Sequence, residues 1–317
     1  MLRGRRGLSV FFTALFLLSS IPIIGAQDTE ESYVRAESLV VVVHDNVSHD
    51  SAAYTQGLEF HQGRLFESTG LYGNSTLREV NLSSGSVIRS VDLNASEFGE
   101  GMTFVGDEII QLTWQEGIAY RYEMETFDIV ANYAYEGEGW GLVYDGHQLV
   151  MSNRTDVLTL RNASTFEIEG TLNVTLNGEP LTKINEMEIW EGILLANIYQ
   201  TEEIVGIDLN SGVAILHIDA SGLRPQGAGV MNGIAFDSAT QSLWITGKEW
   251  PMMYNITFIE PEAPSEPEPE VESPASTEDK LVYSNVVLAI MVAAVVILLA
   301  MNLKDGGPNP PDEGATE

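Results

Sequence analysis

The chain has 317 residues, of which 44% are hydrophobic, a composition typical of a globular protein with one large or two ordinary domains. Its formal net charge of −31 excludes nucleic-acid binding by bulk electrostatic attraction. Cysteine is absent, which excludes disulfides, thiolate catalysis and cysteine-ligated metal sites. Between Asp28 and Ile259 there are 34 acidic and 10 basic residues, a balance that indicates an acidic folded surface of the kind that stays soluble at high salt.

The N-terminus carries three arginines in its first six residues, followed by an apolar run and small residues before Gln27. This arrangement predicts a secretory signal peptide over residues 1–26, with an uncleaved membrane anchor as the alternative. Residues 27–37 are expected to form a linker. Eight Asn-x-Ser/Thr sequons, which would permit glycosylation of an exported domain, begin at Asn46, Asn74, Asn81, Asn94, Asn153, Asn162, Asn173 and Asn255.

A repeated β pattern occupies the middle of the chain. Short alternating or β-branched runs are separated by Gly, Asn and Asp, which predicts a nearly all-β domain over residues 38–260. Each repeat has a polar residue beside a small one, an alternating strand, a turn and a second apolar strand. The five repeats begin at Gln56, Glu100, Trp140, Asn185 and Asn232.

The spacing of these starts is 44, 40, 45 and 47 residues, close to the roughly 40–50 residues of a four-stranded propeller blade. The sequence therefore predicts a five-bladed β-propeller, in which either the unassigned strand from Ser38 to Val43 or the last strand completes a shared blade and closes the ring. Residues that open the innermost strand of each blade line one end of the central channel. We therefore expect the five repeat starts to converge at one mouth.

The C-terminal part has a different composition. Residues 261–280 are rich in Pro and Glu, which predicts an extended stalk. Residues 281–303 form a run of 23 residues without a charge, which predicts a single transmembrane helix, followed by a short tail over residues 304–317. With the N-terminal segment, these features predict a single-pass protein of the cell membrane whose domain lies on the extracytoplasmic side.

The expected mouth combines a carboxylate, amides, aromatic rings and a scarce cation. Glu100 stands between two glycines in EFGEGMTF, where the backbone can turn tightly and another molecule can approach the carboxylate. Lys248 is one of two lysines in the domain and could polarise a carbonyl group or pair with Glu100. The alternatives are a solvated turn for Glu100, a surface position for Lys248, packing between blades for Trp114 and Trp140, and a turn for Asn232.

Other chemistries are disfavoured by the sequence. The five histidines have no paired ligand spacing, so no metal site is predicted. Neither a G-x-S-x-G elbow nor a phosphate-binding glycine loop occurs, which disfavours a serine hydrolase and a nucleotide-dependent enzyme.

Eight motifs in order suggest a family: YTQGLEF, ESTGLYGNSTLREV, FGEGMTF, QLTWQEG, GWGLVYDG, INEMEIWEGILLANIYQT, MNGIAFD and TGKEWP. Together they resemble the plant and bacterial type of glutaminyl cyclase, also called glutamine cyclotransferase, from Leu39 to Phe258. The resemblance implies a five-bladed β-propeller that acts on peptides or proteins with an N-terminal glutamine. It converts that residue to pyroglutamate and releases ammonia, without a catalytic metal or other cofactor.

Carried over by position, the resemblance implies three catalytic residues. Glu100 would shuttle the proton, while Lys248 and Asn185 would hold or polarise the amide oxygen of the substrate. The residues expected to bind the substrate are Gln56, Phe98, Trp114, Trp140, Tyr199, Tyr54 and Asn232.

Two positions depart from the family and keep another function open. Tyr54 stands where the family usually has Phe, and Tyr199 where it usually has Trp; both changes keep an aromatic ring but put substrate preference and rate in question. The alternative is a membrane-anchored, non-catalytic propeller that binds peptides or glycans through the same mouth. A lactonase-like hydrolase is less favoured, because that class resembles six blades around a metal.

Overall fold

The computed structural model describes residues 33–262 and 285–297. The chain divides into two compact units, with the boundary after Pro261. The described part of the first unit is built from strands alone, whereas residues 285–297 of the second unit form a helix.

The strands are numbered in chain order, and β1 (Glu37–Ser48) precedes the first repeat. The first repeat forms a four-stranded antiparallel sheet of β2 (Thr55–His61), β3 (Arg64–Thr69), β4 (Thr76–Val80) and β5 (Val87–Asp92). The second repeat forms a sheet of β6 (Gly99–Val105), β7 (Glu108–Thr113), β8 (Ile118–Glu123) and β9 (Ile129–Ala134). The third forms a sheet of β10 (Leu142–Tyr144), β11 (Leu149–Met151), β12 (Val157–Arg161) and β13 (Ile168–Asn173).

The remaining nine strands form one ten-stranded sheet together with β1. They are β14 (Thr175–Leu176), β15 (Glu179–Pro180), β16 (Ile184–Trp190), β17 (Ile193–Ile198), β18 (Glu203–Asp208), β19 (Val213–Asp219), β20 (Met231–Asp237), β21 (Ser242–Gly247) and β22 (Met252–Ile259). The main order is β16-β17-β18-β19-β1-β22-β21-β20, with β14 beside β19 and β15 beside β14. Strand β1 pairs parallel with β19 and antiparallel with β22, so it joins the fourth and fifth repeats.

The first strands of the five repeats, β2, β6, β10, β16 and β20, contact one another in closed succession. Two glycines permit this close approach. A Cβ atom on Gly101 would lie 2.5 Å from the Trp140 carbonyl oxygen, and one on Gly141 would lie 1.9 Å from the Asn185 carbonyl oxygen. Apolar side chains fill the space between neighbouring sheets; Phe66 and Leu77 of the first sheet, for example, share a buried cluster with Phe104 of the second.

The predicted fold class, a five-bladed β-propeller together with a C-terminal transmembrane helix, is wrong. The structure has three four-stranded sheets and one ten-stranded sheet instead of five separate blades, because β1 hydrogen-bonds to both β19 and β22. The β character predicted from the alternating runs is present throughout residues 37–259.

The transmembrane helix predicted over residues 281–303 is also wrong. Within residues 33–262 and 285–297, no helix is both long and apolar enough to cross a membrane. Residues 285–297 of the predicted span form a helix. The predicted signal peptide, the tail, and most of the predicted linker and stalk lie outside the described residues.

Candidate active site

A pocket of about 520 Å³ gathers nine of the ten predicted site residues: Tyr54, Gln56, Phe98, Glu100, Trp114, Trp140, Asn185, Tyr199 and Lys248. Asn232, the tenth, is buried and does not line the pocket. Four further lining residues were not predicted from the sequence: Glu138, Arg154, Lys183 and Gln200. The pocket therefore contains all three predicted catalytic residues and most of the predicted binding residues.

Irregular strand pairing brings the repeat starts to this pocket. The register of the first strand shifts between Thr55 and Gly57, between Gly99 and Met102, between Ile184 and Met187, and between Met231 and Ile234. Each shift contains a repeat start. Because a β-bulge bends the strand and redirects a side chain, Gln56, Glu100 and Asn185 leave the regular in-and-out alternation. In the third repeat, Trp140 lies just ahead of β10, and its backbone N–H donates to the Ser152 carbonyl oxygen.

Hydrogen bonds link the side chains of Asn232, Gln56 and Glu100 in series. Asn232 Nδ2 donates to Gln56 Oε1 at 3.0 Å and to the Thr55 carbonyl oxygen at 2.9 Å. Gln56 Nε2 in turn donates to Glu100 Oε1 at 3.1 Å. The Gln56 amide therefore supports Glu100, and because its NH2 group carries a second hydrogen, it can also donate to a ligand in the pocket that it lines.

Glu100 is buried, with 5% of its surface exposed. Burial raises the pKa of its carboxyl group well above the ordinary value, because the charged form loses hydration. The positive charge of Lys248 opposes this pKa shift, whereas the negative charges of Glu138 and Glu116 add to it. The raised pKa moves the carboxyl group closer to the pH range in which a general acid–base catalyst exchanges protons.

Lys248 is the buried cation of the pocket, with 4% of its surface exposed. Burial lowers the pKa of its ammonium group to about 8, although Glu100 acts in the opposite direction. The Nζ atom lies 4.7 Å from the ring centre of Tyr54 and 5.4 Å from that of Tyr199, distances at which a ring face attracts a cation. Both positions that depart from the family thus contact this lysine.

Aromatic rings form two walls of the pocket. On one side, Phe98 packs edge-on against Tyr54, with ring centres 6.0 Å apart, and against Trp114, with ring centres 5.7 Å apart. On the other side, Trp140 packs edge-on against Tyr199 at 5.2 Å. This edge-to-face packing fixes the orientation of the rings.

Asn185 places an amide in the same pocket. Its backbone carbonyl oxygen accepts a hydrogen bond of 3.0 Å from Ser152 Oγ, which fixes the strand start against the third sheet. Its side-chain amide makes no hydrogen bond to another described residue and lines the pocket. This amide is therefore free to bind a polar group of a ligand.

The residues missed by sequence reasoning share a backbone feature. Arg154, Lys183 and Gln200 have φ angles of 67°, 66° and 69°, in the left-handed region that residues other than glycine seldom occupy. Comparison of the repeats could have identified two of them, since Arg154 and Gln200 follow the second strand of a repeat just as Glu249 does, at φ 60°.

Glu138, the fourth residue that was missed, orients one wall of the pocket. Its Oε2 atom accepts a hydrogen bond from Trp140 Nε1 at 3.1 Å, and its Oε1 atom accepts one from Gln115 Nε2 at 3.2 Å. Its position two residues before a repeat start is the only cue in the sequence.

Comparison with known proteins identifies the family. The glutamine cyclotransferase family model matches residues 16–258, so the chain belongs to the glutamine cyclotransferase family. A glutaminyl-peptide cyclotransferase from Arabidopsis thaliana is 34% identical over 226 residues, which cover 68% of this chain and 71% of that protein. The crystal structure of Myxococcus xanthus glutaminyl cyclase superimposes with a TM-score of 0.67 at 33% identity, covering 71% of this chain and 98% of that one.

Proposed function

We propose that the protein is a glutaminyl-peptide cyclotransferase, which converts the N-terminal glutamine of peptides or proteins into pyroglutamate and releases ammonia. Membership of the glutamine cyclotransferase family supports this activity. The observation that carries the proposal is the buried carboxyl group of Glu100, which shares one pocket with Lys248, Asn185 and aromatic walls.

The reaction is an intramolecular acyl transfer. The neutral α-amine of the substrate attacks the carbonyl carbon of its own side-chain amide, and a C–N bond forms that closes a five-membered lactam. The bond from that carbon to the amide nitrogen then breaks, and the nitrogen leaves as ammonia. The proton lost by the attacking amine is balanced by the proton gained by the leaving nitrogen, so one group can carry out both transfers.

Glu100 is the group placed for these proton transfers. Gln56 holds its Oε1 atom, while Oε2 makes no hydrogen bond to another described residue. We assign Oε2 to accept the proton of the attacking amine and, once protonated, to donate it to the leaving nitrogen. The raised pKa of the Glu100 carboxyl group supports this role, because the protonated form must persist until the leaving nitrogen departs.

Lys248 and Asn185 are assigned to the amide oxygen of the substrate. As the amine attacks, that oxygen gains negative charge, and donors fixed in advance in a buried pocket stabilise such charge. Described carboxylate oxygens lie no closer than 4.0 Å to Lys248 Nζ, so its N–H groups remain available to the substrate. The Tyr54 and Tyr199 rings restrict where this cation can sit.

The aromatic walls are assigned to substrate folding. For cyclisation, the glutamine side chain must bend back on its own amine, and holding that conformation removes an entropic part of the barrier. Trp114, Trp140 and Tyr199 present ring surfaces around the pocket. The non-catalytic peptide- or glycan-binding module is the less favoured function, since the relatives are named as cyclases and the pocket retains the three residues assigned to catalysis.

The direct test incubates the purified full-length chain with a short peptide that begins with glutamine. Mass spectrometry follows the loss of ammonia above the spontaneous rate, with and without a strong chelator. We expect chelator-resistant cyclisation that falls on the order of 100-fold or more in Glu100→Gln. A folded wild-type protein that binds the peptide without cyclising it would refute the proposal.

We also propose that the domain works outside the cytoplasm. The arginines and apolar run of residues 1–26 and the eight sequons support an exported domain. N-terminal sequencing of the protein isolated from its own cells, together with protease accessibility on intact cells, tests this location.

A further inference from the structure

Two exposed cations lie next to each other on the edge of the pocket. Arg154 and Lys183 both line it, and the Lys183 backbone N–H donates to the Arg154 carbonyl oxygen at 2.7 Å. Gln200 lies beside them, and its Oε1 atom accepts a hydrogen bond of 3.4 Å from Lys183 Nζ. None of the three has a role in the acyl transfer described above.

Half of the eight other basic side chains in residues 33–262 are paired with carboxylates. Four arginines bind carboxylates at 2.9 Å or less: Arg64, Arg78, Arg89 and Arg121. By contrast, the ion pair between Arg154 Nε and Glu138 Oε2 is 3.9 Å long, and Lys183 has no carboxylate within 4.0 Å among the described residues. The pocket edge therefore carries positive charge that the protein itself leaves largely unpaired.

The backbone at these cations is held in an unfavourable conformation. Arg154, Lys183 and Gln200 all have φ angles between 66° and 69°. Such conformations persist in residues other than glycine only where the surrounding structure imposes them, and they concentrate at functional sites. Here the hydrogen bond from Lys183 N to Arg154 O and the bond of 2.9 Å from Tyr199 N to Lys183 O hold the two segments together.

The position of the cations relative to Glu100 defines what they can contact. The reacting glutamine must reach the buried end, where Glu100 and Lys248 lie, so the rest of the peptide must leave across the exposed edge. Arg154, with 64% of its side chain exposed, forms that edge together with Lys183. The neighbouring Glu138 carboxylate is already bonded to Trp140 and Gln115.

We propose that Arg154 and Lys183 form a cationic subsite for a carboxylate in the residues that directly follow the cyclising glutamine. The inference rests on the proposed function and adds a substrate class to it: peptides with an acidic residue at the second or third position. The same chemistry could come from the terminal carboxylate of a very short peptide. Both cations are exposed, so the preference is modest, roughly three- to tenfold in kcat/KM, and weakens as salt screens the charges.

The test compares amidated peptides that begin Gln-Glu, Gln-Ala and Gln-Lys, with unamidated Gln-Ala as the arm for a terminal carboxylate. We expect kcat/KM to be highest for Gln-Glu among the amidated peptides, and the ratio of Gln-Glu to Gln-Lys to fall towards one at about 1 M salt. In the double variant Arg154→Gln/Lys183→Gln, the ratio of kcat/KM for Gln-Glu to that for Gln-Lys should fall to about one even at low salt. Lys183→Glu should reverse it, and the exposed control Arg224→Gln should keep it.

The outcomes separate two failures. If wild type cyclises all amidated peptides with equal kcat/KM, or if the ratio survives in the folded double variant, the subsite is overturned while the proposed function stands. A higher rate for unamidated Gln-Ala alone would assign the cations to a terminal carboxylate and reject the side-chain preference. If wild type cyclises none of the peptides, the proposed function fails, and the subsite fails with it.

Discussion

Asn232 Nδ2 donates to Gln56 Oε1 at 3.0 Å, and this bond decides which end of the Gln56 amide faces Glu100. With the oxygen of Gln56 bound to Asn232, its NH2 group must point at the carboxylate, where it donates at 3.1 Å. Asn232 does not line the pocket, so we infer that it influences Glu100 through Gln56.

Replacement of Asn232 should therefore lower turnover more than substrate affinity. In Asn232→Ala, the Gln56 amide loses the partner that fixes it, so we expect kcat to fall about tenfold with KM nearly unchanged. The lost hydrogen bonds should also reduce the free energy of unfolding by about 1–3 kcal/mol. Steady-state kinetics and urea denaturation measure the two effects, with the exposed Asn210→Ala as control. An unchanged kcat would show that Asn232 only stabilises the fold.

The rate of cyclisation should fall on both the acidic and the alkaline side of its pH optimum. Because the pKa of the Glu100 carboxyl group is raised, its basic form is lost as pH falls through a range above that of an ordinary carboxylate. Because the pKa of Lys248 is lowered to about 8, its positive charge is lost as pH rises through that value. We expect a bell-shaped profile of kcat against pH.

Lys248→Arg provides the check on the alkaline side. The guanidinium group stays protonated throughout this range, so the alkaline limb should move to higher pH even if the rate at the optimum is lower. A limb near pH 8 that persists in this variant would assign it to another group, such as the substrate amine.

Variants at Tyr199 test whether substrate binding needs an aromatic ring at this position, where the family usually has Trp. In Tyr199→Leu, the edge contact with Trp140 and the ring face near Lys248 are both lost, so we expect KM to rise about three- to tenfold. Tyr199→Trp restores the usual residue of the family and should keep KM near the wild-type value. Equal KM values in the two variants would remove the ring from substrate binding.

A buried ion network around Glu67 should control stability in acid. Glu67 is fully buried, with its Oε2 atom 2.7 Å from Arg78 Nη2 and its Oε1 atom 3.1 Å from His49 Nε2. Burial alone would raise the pKa of Glu67, but His49, Arg78 and Thr55 outweigh burial and lower it to about 2. The folded pKa lies below the unfolded one, so this stabilisation is complete above the ordinary carboxylate range and is lost as pH falls towards 2.

Glu67→Gln should consequently reduce the free energy of unfolding by about 1–3 kcal/mol at pH 7, because Arg78 loses its fully buried partner and keeps only the partly exposed Asp50 carboxylate. The variant should also lose less stability than wild type between pH 5 and pH 3. Chemical denaturation across this range measures both effects. Glu125→Gln, which removes an exposed partner of Arg64, is the matched control and should change little. A similar loss in both variants would contradict the importance of burial.

The sequence predicted the pocket better than the sheets. Five repeat starts at nearly constant spacing indicated which side chains converge, and four of them, including Glu100, line the pocket. Asn232 is buried and does not line the pocket. The sequence did not predict this, because strand alternation and motif position do not reveal which way a bulged residue points. The ten-stranded sheet depends on the pairing of β1 with both β19 and β22, and such distant partners leave no local pattern.

Two other differences between the sequence-based prediction and the structure have physical causes. Arg154 and Lys183 stand in left-handed backbone conformations, which a sequence signals only when glycine or asparagine occupies them. The predicted transmembrane helix rested on the apolar run alone, and the described helix covers residues 285–297 of it.

The position of β1 also has a consequence for synthesis on the ribosome. Its antiparallel partner β22 lies about 200 residues later, and at roughly 5–20 residues per second it emerges on the order of 10–40 s after β1. During that interval Val40–Val43, four consecutive valines, have no partner on one edge. An unpaired apolar strand is a template for aggregation, so each new chain remains vulnerable to aggregation until its last strand is made.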